Sequence, residues 1–231
     1  MALPPPADGT AVVVTGAASG IGREVALRLA QLGYHLVLAD VQDSVKETAD
    51  EARGHGVDVE VFRLDLTDAV ARQDFVRQVL DGPRAVVGVA NVAGLISVGR
   101  FDELGLDRER ILVDVSVSAL HHLTGAFLPG MTERGAGAFL NVSSPAGVAP
   151  LPYLASYSAA KSFVIYCLDR AARGTAGERR LLHHLHSRND EDAVGIRHRG
   201  VEVPAGLGLA AAGLPRGEGD RRTGGGRHAA R

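Results

Sequence analysis

Short β-branched runs alternate with longer stretches of helical spacing along most of this chain. Ala11-Val12-Val13-Val14 and Leu36-Val37-Leu38-Ala39 are continuous apolar runs bounded by glycine or polar residues, the pattern of strands buried on both faces. In Arg23-Glu24-Val25-Ala26-Leu27-Arg28-Leu29-Ala30 the apolar positions recur at helical spacing instead. The whole pattern predicts strands at 11–15, 35–39, 58–63, 85–90 and 137–143, and helices at 20–32, 43–54, 68–80, 107–128 and 156–172. Parallel strands need a crossover to return, so this rhythm predicts an α/β fold: a doubly wound parallel sheet between two helix layers, α/β/α. Ligands of such sheets bind beyond the carboxyl ends of the strands. Gly16, Asp40, Asp65, Asn91 and Ser144 all fall at or just after predicted strand ends.

Composition narrows the class. The chain has 231 residues, enough for one α/β domain with a sizeable core. A formal net charge of −2 gives no reason to expect nucleic acid as a partner. The single cysteine, Cys167, excludes an intramolecular disulfide framework and a cysteine-based metal cluster. It stands among Phe163, Val164, Ile165 and Leu168 and reads as a buried, inert thiol. His121 and His122 have no paired ligands at metal spacing, and no metal is expected. Residues 1–10 form a Pro-rich lead without the pattern of a signal peptide. With no run approaching the roughly 20 apolar residues of a membrane span, the expectation is a cytoplasmic protein.

Two stretches carry chemistry. Thr15-Gly16-Ala17-Ala18-Ser19-Gly20-Ile21-Gly22 joins the first strand to the first helix. Glycines there let backbone approach a pyrophosphate, and a helix N-terminus offers free N–H groups and a partial positive charge. This is the first half of a dinucleotide site of Rossmann type, although its spacing is Gly-x-x-x-Gly-x-Gly and not Gly-x-Gly-x-x-Gly. Asp40 ends the second strand, where a carboxylate can accept from ribose hydroxyls and would repel a 2′-phosphate. Neither Ser19 nor Val41 is basic, so NAD is favoured over NADP. Arg23, at the start of the helix, can touch a phosphate or simply be solvated. The second stretch is Tyr157-Ser158-Ala159-Ala160-Lys161. Four residues apart, Tyr157 and Lys161 share a helix face, where the ammonium can stabilise a phenolate and make it a proton donor and acceptor. Ser144 lies thirteen residues earlier, at the end of an apolar run.

These motifs, together with Leu64-Asp65-Leu66-Thr67, Asn91-Val92-Ala93-Gly94 and Asn141-Val142-Ser143-Ser144, make the chain resemble the short-chain dehydrogenase/reductase family from about Ala11 to about Arg173. The resemblance implies hydride transfer between a nicotinamide cofactor and a ketone or secondary alcohol, with Tyr157 as acid/base. It implies that Lys161 tunes the phenol and binds the nicotinamide ribose, and that Ser144, favoured over Ser143 by its spacing from Tyr157, donates to the substrate oxygen. The implied cofactor residues are Gly16, Ser19, Gly20, Ile21, Gly22, Asp40, Asp65, Leu66, Asn91, Ala93, Gly94, Tyr157 and Lys161. Asp65 belongs near the adenine on this basis, or else caps the helix starting near Thr67. Relatives pair through the helices at 107–128 and 156–172. A homo-oligomer, dimer or tetramer, is therefore expected, with Ile111, Leu112, Val115, Leu120 and Leu123 on one helix and Phe163, Val164, Ile165 and Leu168 on the other. Leu95, Ile96, Val98, Pro145, Val148, Leu151 and Leu154 can wall an apolar pocket for a small-molecule carbonyl or alcohol substrate.

Two departures set this chain apart. Where relatives carry an asparagine that holds a proton-relaying water, this chain has Ser116, in Asp114-Val115-Ser116-Val117-Ser118. Serine there implies reduced rather than abolished turnover. Residues 174–231 contain no Lys, Phe, Tyr or Trp and are rich in Arg, His and Gly. Such a segment cannot bury enough apolar surface to offset its ordering entropy. Val201-Glu202-Val203-Pro204-Ala205-Gly206 echoes the Pro-Gly loop that covers the nicotinamide in relatives, but it comes too late. The expectation is a domain at 11–173 followed by an atypical tail, either genuine or the product of a frameshift. Beside the oxidoreductase stands an alternative, a dinucleotide-binding protein without useful turnover. A Rossmann-like methyltransferase is disfavoured by Tyr157-x-x-x-Lys161 and by Asn91-x-Ala93-Gly94.

Overall fold

The computed structural model describes residues 3–149, 151–174 and 182–186. In chain order they form β1 (Thr10–Thr15), α1 (Gly20–Gln31), β2 (His35–Asp40), α2 (Val45–Arg53), β3 (Val59–Arg63), α3 (Ala69–Leu80) and β4 (Ala85–Asn91). There follow α4 (Leu106–Val113), a π-helical segment (Asp114–Ala119), α5 (Leu120–Glu133), β5 (Ala138–Ser143), a 3₁₀ turn (Pro145–Gly147), α6 (Ala155–Gly174) and β6 (Leu182–His186). The strands make one parallel sheet in the order β3-β2-β1-β4-β5-β6. The chain winds outward from β1 to β3, then returns to the other side of β1 with β4. That reversal opens a crevice at the carboxyl ends of β1 and β4, where Thr15 is in register with both Ala39 and Asn91.

Strand alternation divides the core into two layers. Val12, Val14, Leu36 and Leu38 pack on Ala26, Leu27 and Ala30 of α1 and on Val45 and Ala49 of α2. Val13, Val37 and Val89 face the other way, onto Phe75, Leu123, Phe127 and Met131. Period-two side-chain direction makes adjacent valines serve opposite helix layers, which is why β1 has no polar face.

Three features depart from the sequence pattern. The helix predicted at 107–128 begins at Leu106, passes through a π turn and runs on to Glu133, with Pro129 inside α5. Proline sacrifices one helical hydrogen bond, but Phe127 and Met131 on either side of it are 2 % and 0 % exposed and hold the last turns in place. This continuous helix of 28 residues is long and apolar enough to cross a membrane, contrary to the expectation from apolar runs. Leu123, Phe127 and Met131 are instead spent on the sheet. Finally, Leu182–His186, inside the stretch set apart on composition, pairs in parallel with β5. The rest of that stretch beyond Gly174 lies outside the described residues.

Candidate active site

The crevice at the switch point is a cavity of about 490 Å³. Gly16, Ser19, Ile21 and Gly22 form its floor, with Asp40, Asp65 and Leu66 on one side and Ala93 and Gly94 on the other. Gly16 adopts φ +70°, and a Cβ there would lie 2.8 Å from backbone atoms of Ala93. A Cβ on Gly22 would overlap the carbonyl of Gly16. The turn is therefore closed by backbone-to-backbone approach that only glycine allows. Gly20 opens α1 without reaching the cavity wall. Ser19, the α1 N-cap, makes no side-chain cap, and no acid stands in the first turn. The helix end is left able to receive an anion.

Asp40 holds this loop. One carboxylate oxygen accepts from the N–H of Ala18 at 2.9 Å and the other from that of Gln42 at 2.9 Å. Asp65 accepts from both the N–H and the hydroxyl of Thr67, each at 2.8 Å, and so closes the turn after β3. The cap of α3 is not Asp65 but Asp68, which receives Val70 and Ala71 N–H. Asn91 is buried and does not line the cavity; its amide donates to Asn141 at 2.8 Å and ties β4 to β5. Thr15, which the motif reading left without a role, accepts from Val92 and Ala93 N–H at 3.2 and 3.3 Å and fixes the Ala93-Gly94 wall. Its position in register with Asn91 at the reversal of strand order was the available signal. Arg23 is exposed and paired with Glu24 and Glu51, not turned to the cavity. Among the described residues no Lys or Arg lines the wall.

The catalytic candidates adjoin this cavity without lining it. Lys161 is 8 % exposed, donates from Nζ to the Val142 carbonyl at 2.7 Å and lies 5.6 Å from the Tyr157 ring centre. Burial lowers its pKa to about 8. Ser116 lies in the π segment, buried, its hydroxyl without a partner. A Cβ built on Gly94 would be 3.9 Å from both Lys161 Nζ and Ser116 Oγ. Gly94, Ser116 and Lys161 thus enclose one point beside the cavity wall. The two serines after β5 separate clearly. Ser143 is buried and donates to the Lys161 carbonyl at 3.2 Å, while Ser144 is only partly buried and accepts from Ala146 N–H at 3.3 Å. Burial, helped by Arg72 and His121, keeps His122 below the usual imidazole value, and burial pushes the Cys167 thiol up. Among the described residues no cluster of His, Cys, Asp or Glu could hold a metal.

Residues 10–179 match the family model described as short chain dehydrogenase. A 2,5-dichloro-2,5-cyclohexadiene-1,4-diol dehydrogenase of Sphingobium indicum is 31% identical over 157 residues, covering 68% of this chain and 63% of that protein. The chain thus spans about three fifths of the length of this curated relative. An alcohol dehydrogenase of the archaeon Thermococcus sibiricus, complexed with 5-hydroxy-NADP, superposes with a TM-score of 0.71 at 27% identity, over 77% of this chain and 75% of that one. An NAD+-bound xylitol dehydrogenase gives 0.70 at 25% identity, over 77% and 70%.

Proposed function

The chain belongs to the short-chain dehydrogenase family, and on that premise we propose that it is an NAD(P)-dependent oxidoreductase acting on a ketone or secondary alcohol. The observation that carries this reading is the meeting of Lys161 Nζ and Ser116 Oγ at Gly94, a wall residue of the dinucleotide-sized cavity, with Tyr157 beside the lysine. The residues fit the cofactor: Gly16 and Gly22, which have no room for side chains, an uncapped helix end and carboxylates at Asp40 and Asp65. In this reading Gly16, Ser19 and Ile21 hold the pyrophosphate, Asp40 the adenosine ribose, Asp65 and Leu66 the adenine, and Lys161 the second ribose. The nicotinamide, when bound, supplies or accepts the hydride.

Tyr157 gives its phenolic proton to the carbonyl oxygen, or takes one from the alcohol in reverse. Lys161, ammonium below pH 8 or so, stabilises the phenolate left behind in this reading, which its 5.6 Å approach to the Tyr157 ring supports. Ser144 donates a hydrogen bond to the substrate oxygen, a contribution of about 3 kcal/mol when charge develops there. Absence of a cation from the wall supports NAD over NADP. Against this, Arg63 reaches the Val41 carbonyl at 3.3 Å from the next strand, but it is shared with Asp43 at 3.4 Å. We place the protein in the cytoplasm, acting on a small molecule. Exposed Ile96, Val98, Val148 and Leu151 support an apolar substrate body.

Replacing Tyr157 by Phe tests the reading, because it removes the hydroxyl and leaves the ring and the glycine cradle. Carbonyl reduction followed by NADH absorbance should fall by about 10²–10⁴, with NADH affinity nearly unchanged. Wild-type protein that binds NADH yet turns over no ketone or alcohol in a broad panel would favour the binding-only alternative.

A further inference from the structure

The buried positions of α3 are Arg72, Phe75, Val76 and Val79, the i, i+3, i+4, i+7 stripe of an amphipathic helix. Three of the four are apolar, as a face turned to the core requires. The first is an arginine at 7 % exposure. Arg77 on the same helix is exposed and paired with Asp74 at 2.8 Å. Arg72 has no carboxylate partner among the described residues, and its Nε has no hydrogen bond. A guanidinium keeps its charge when buried, so packing alone would favour Met or Leu here. Arg72 instead donates from one Nη to the carbonyl of Leu66, in the loop between β3 and α3.

That loop lines the dinucleotide-sized cavity through Asp65, Leu66 and Thr67. The Leu66 side chain is spent in the core with Phe75 and Val76, so what it offers the cavity is main chain. The peptide joining Leu66 to Thr67 is gripped at both ends. Arg72 takes its oxygen, and its N–H donates to Asp65 Oδ1 at 2.8 Å. The Thr67 hydroxyl goes to the same Oδ1, also at 2.8 Å, which leaves Asp65 Oδ2 for a ligand. We propose that Arg72 is a positioning residue that fixes the Leu66–Thr67 peptide and, through it, the Asp65 carboxylate that selects adenine as the base of the cofactor. The proposal rests on the reading of Asp65 and Leu66 as the adenine site. The adenine amino group is a donor and suits a free carboxylate oxygen. Hypoxanthine carries a carbonyl in its place and would set one acceptor against another. Arg72 does not touch the base; it acts through the loop.

Arg72→Met keeps the length of the side chain and removes its charge and donors. Fluorescence titration should show the wild type binding NADH at least about tenfold tighter than its hypoxanthine analogue. In Arg72→Met the preference should shrink to about threefold or less, through weaker NADH binding. Reduced nicotinamide mononucleotide, which lacks the base, should bind both proteins alike. Arg72→Lys keeps a charge and a donor and should restore most of the preference. An arginine that merely capped a carbonyl would move the melting temperature and leave the ratio alone. None of these readouts needs turnover. If the Met variant does not fold, the wild type decides: the Arg72 Nε resonance should shift on titration with AMP and stay put with nicotinamide mononucleotide, and a resonance that ignores AMP overturns the proposal. An unchanged preference in folded Arg72→Met overturns the proposal alone, whereas a wild type that binds NADH without preferring adenine overturns the adenine assignment together with it.

Discussion

Lys161 is one of only two lysines in the chain, with Lys46, and it is buried. Its pKa falls from 10.5 to about 8 because burial disfavours the ammonium. The folded value lies below the unfolded one, so the folded state releases this proton first. The cost of burying the charge is fully present below pH 8 and disappears as pH rises to 10.5, and it amounts to about 3 kcal/mol. Urea unfolding should therefore find Lys161→Met more stable than wild type at pH 7, by an amount on that order, with the gap closing by pH 10. Turnover should show the opposite preference and decline above pH 8 as the ammonium that stabilises the phenolate is lost. A flat rate between pH 7 and 9 would separate Lys161 from the chemistry. Asp40 carries a second prediction. A carboxylate on a cation-free wall disfavours a 2′-phosphate, so fluorescence titration should give NADH the tighter binding by about tenfold, or about 1.4 kcal/mol. Equal affinities would point to Arg63 as a phosphate partner. At this scale the sequence was readable where a residue type has one chemistry, as with Asp40 or the glycines. It was less readable where neighbours compete, since only coordinates show Asp68 taking the helix cap and Ser143 bonding the helix backbone.

Among the elements, strand positions follow from apolar runs where strands are buried on both faces, as β1, β2 and β4 are. The π segment Asp114–Ala119 had no such signal. It widens one turn of a helix whose residues still read as a single apolar face, so periodicity passes through it unbroken. Its consequence is local: Ser116 is brought beside Lys161 and Gly94 with a hydroxyl that has no partner. An unpartnered buried hydroxyl costs about 1–3 kcal/mol. Ser116→Ala should accordingly preserve or modestly raise thermal stability. Ser116→Asn should raise kcat severalfold, because an amide can both accept from and donate to a water beside the lysine, where the serine reaches only part way. Loss of activity in the Asn variant, with folding intact, would show that the serine is the better fit to this π turn. The strand Leu182–His186 was unreadable for a different reason, since Leu-His-His-Leu-His inside an Arg/Gly-rich stretch offers neither an apolar run nor an alternation.

For the whole molecule, βαβ rhythm and the handedness of crossovers leave few topologies, and the sheet order is one of them. Partners were harder to read. Leu112, Leu120, Leu123 and Val164, assigned on apolar spacing to an interface between copies, are buried within the protein itself at 6 % exposure or less. What remains outward on the same helices is Leu106 at the start of α4, Val113 at 41% and Tyr166 at 64% exposure, with Ile111 divided between surface and cavity. The tail is a separate question of coding. Reading the nucleotide sequence in the other two frames after codon 173 tests whether residues 174–231 replaced the family's nicotinamide-covering loop. Assembly can be tested on the protein directly. On these helices Val113 and Tyr166 stay in water, and Phe163, packed on Leu120 and Val164, is only half-buried. A second copy packing its α5 and α6 on these helices would remove that surface from water, and exposed apolar patches of this kind mark such contacts. Light scattering at micromolar concentration should give a dimer or tetramer mass. Tyr166→Glu, at a position outside the catalytic groups, should shift the mass toward monomer while leaving far-ultraviolet circular dichroism and NADH affinity unchanged. A monomeric wild type would mean that this face stays in water, and the homo-oligomer would fall with it.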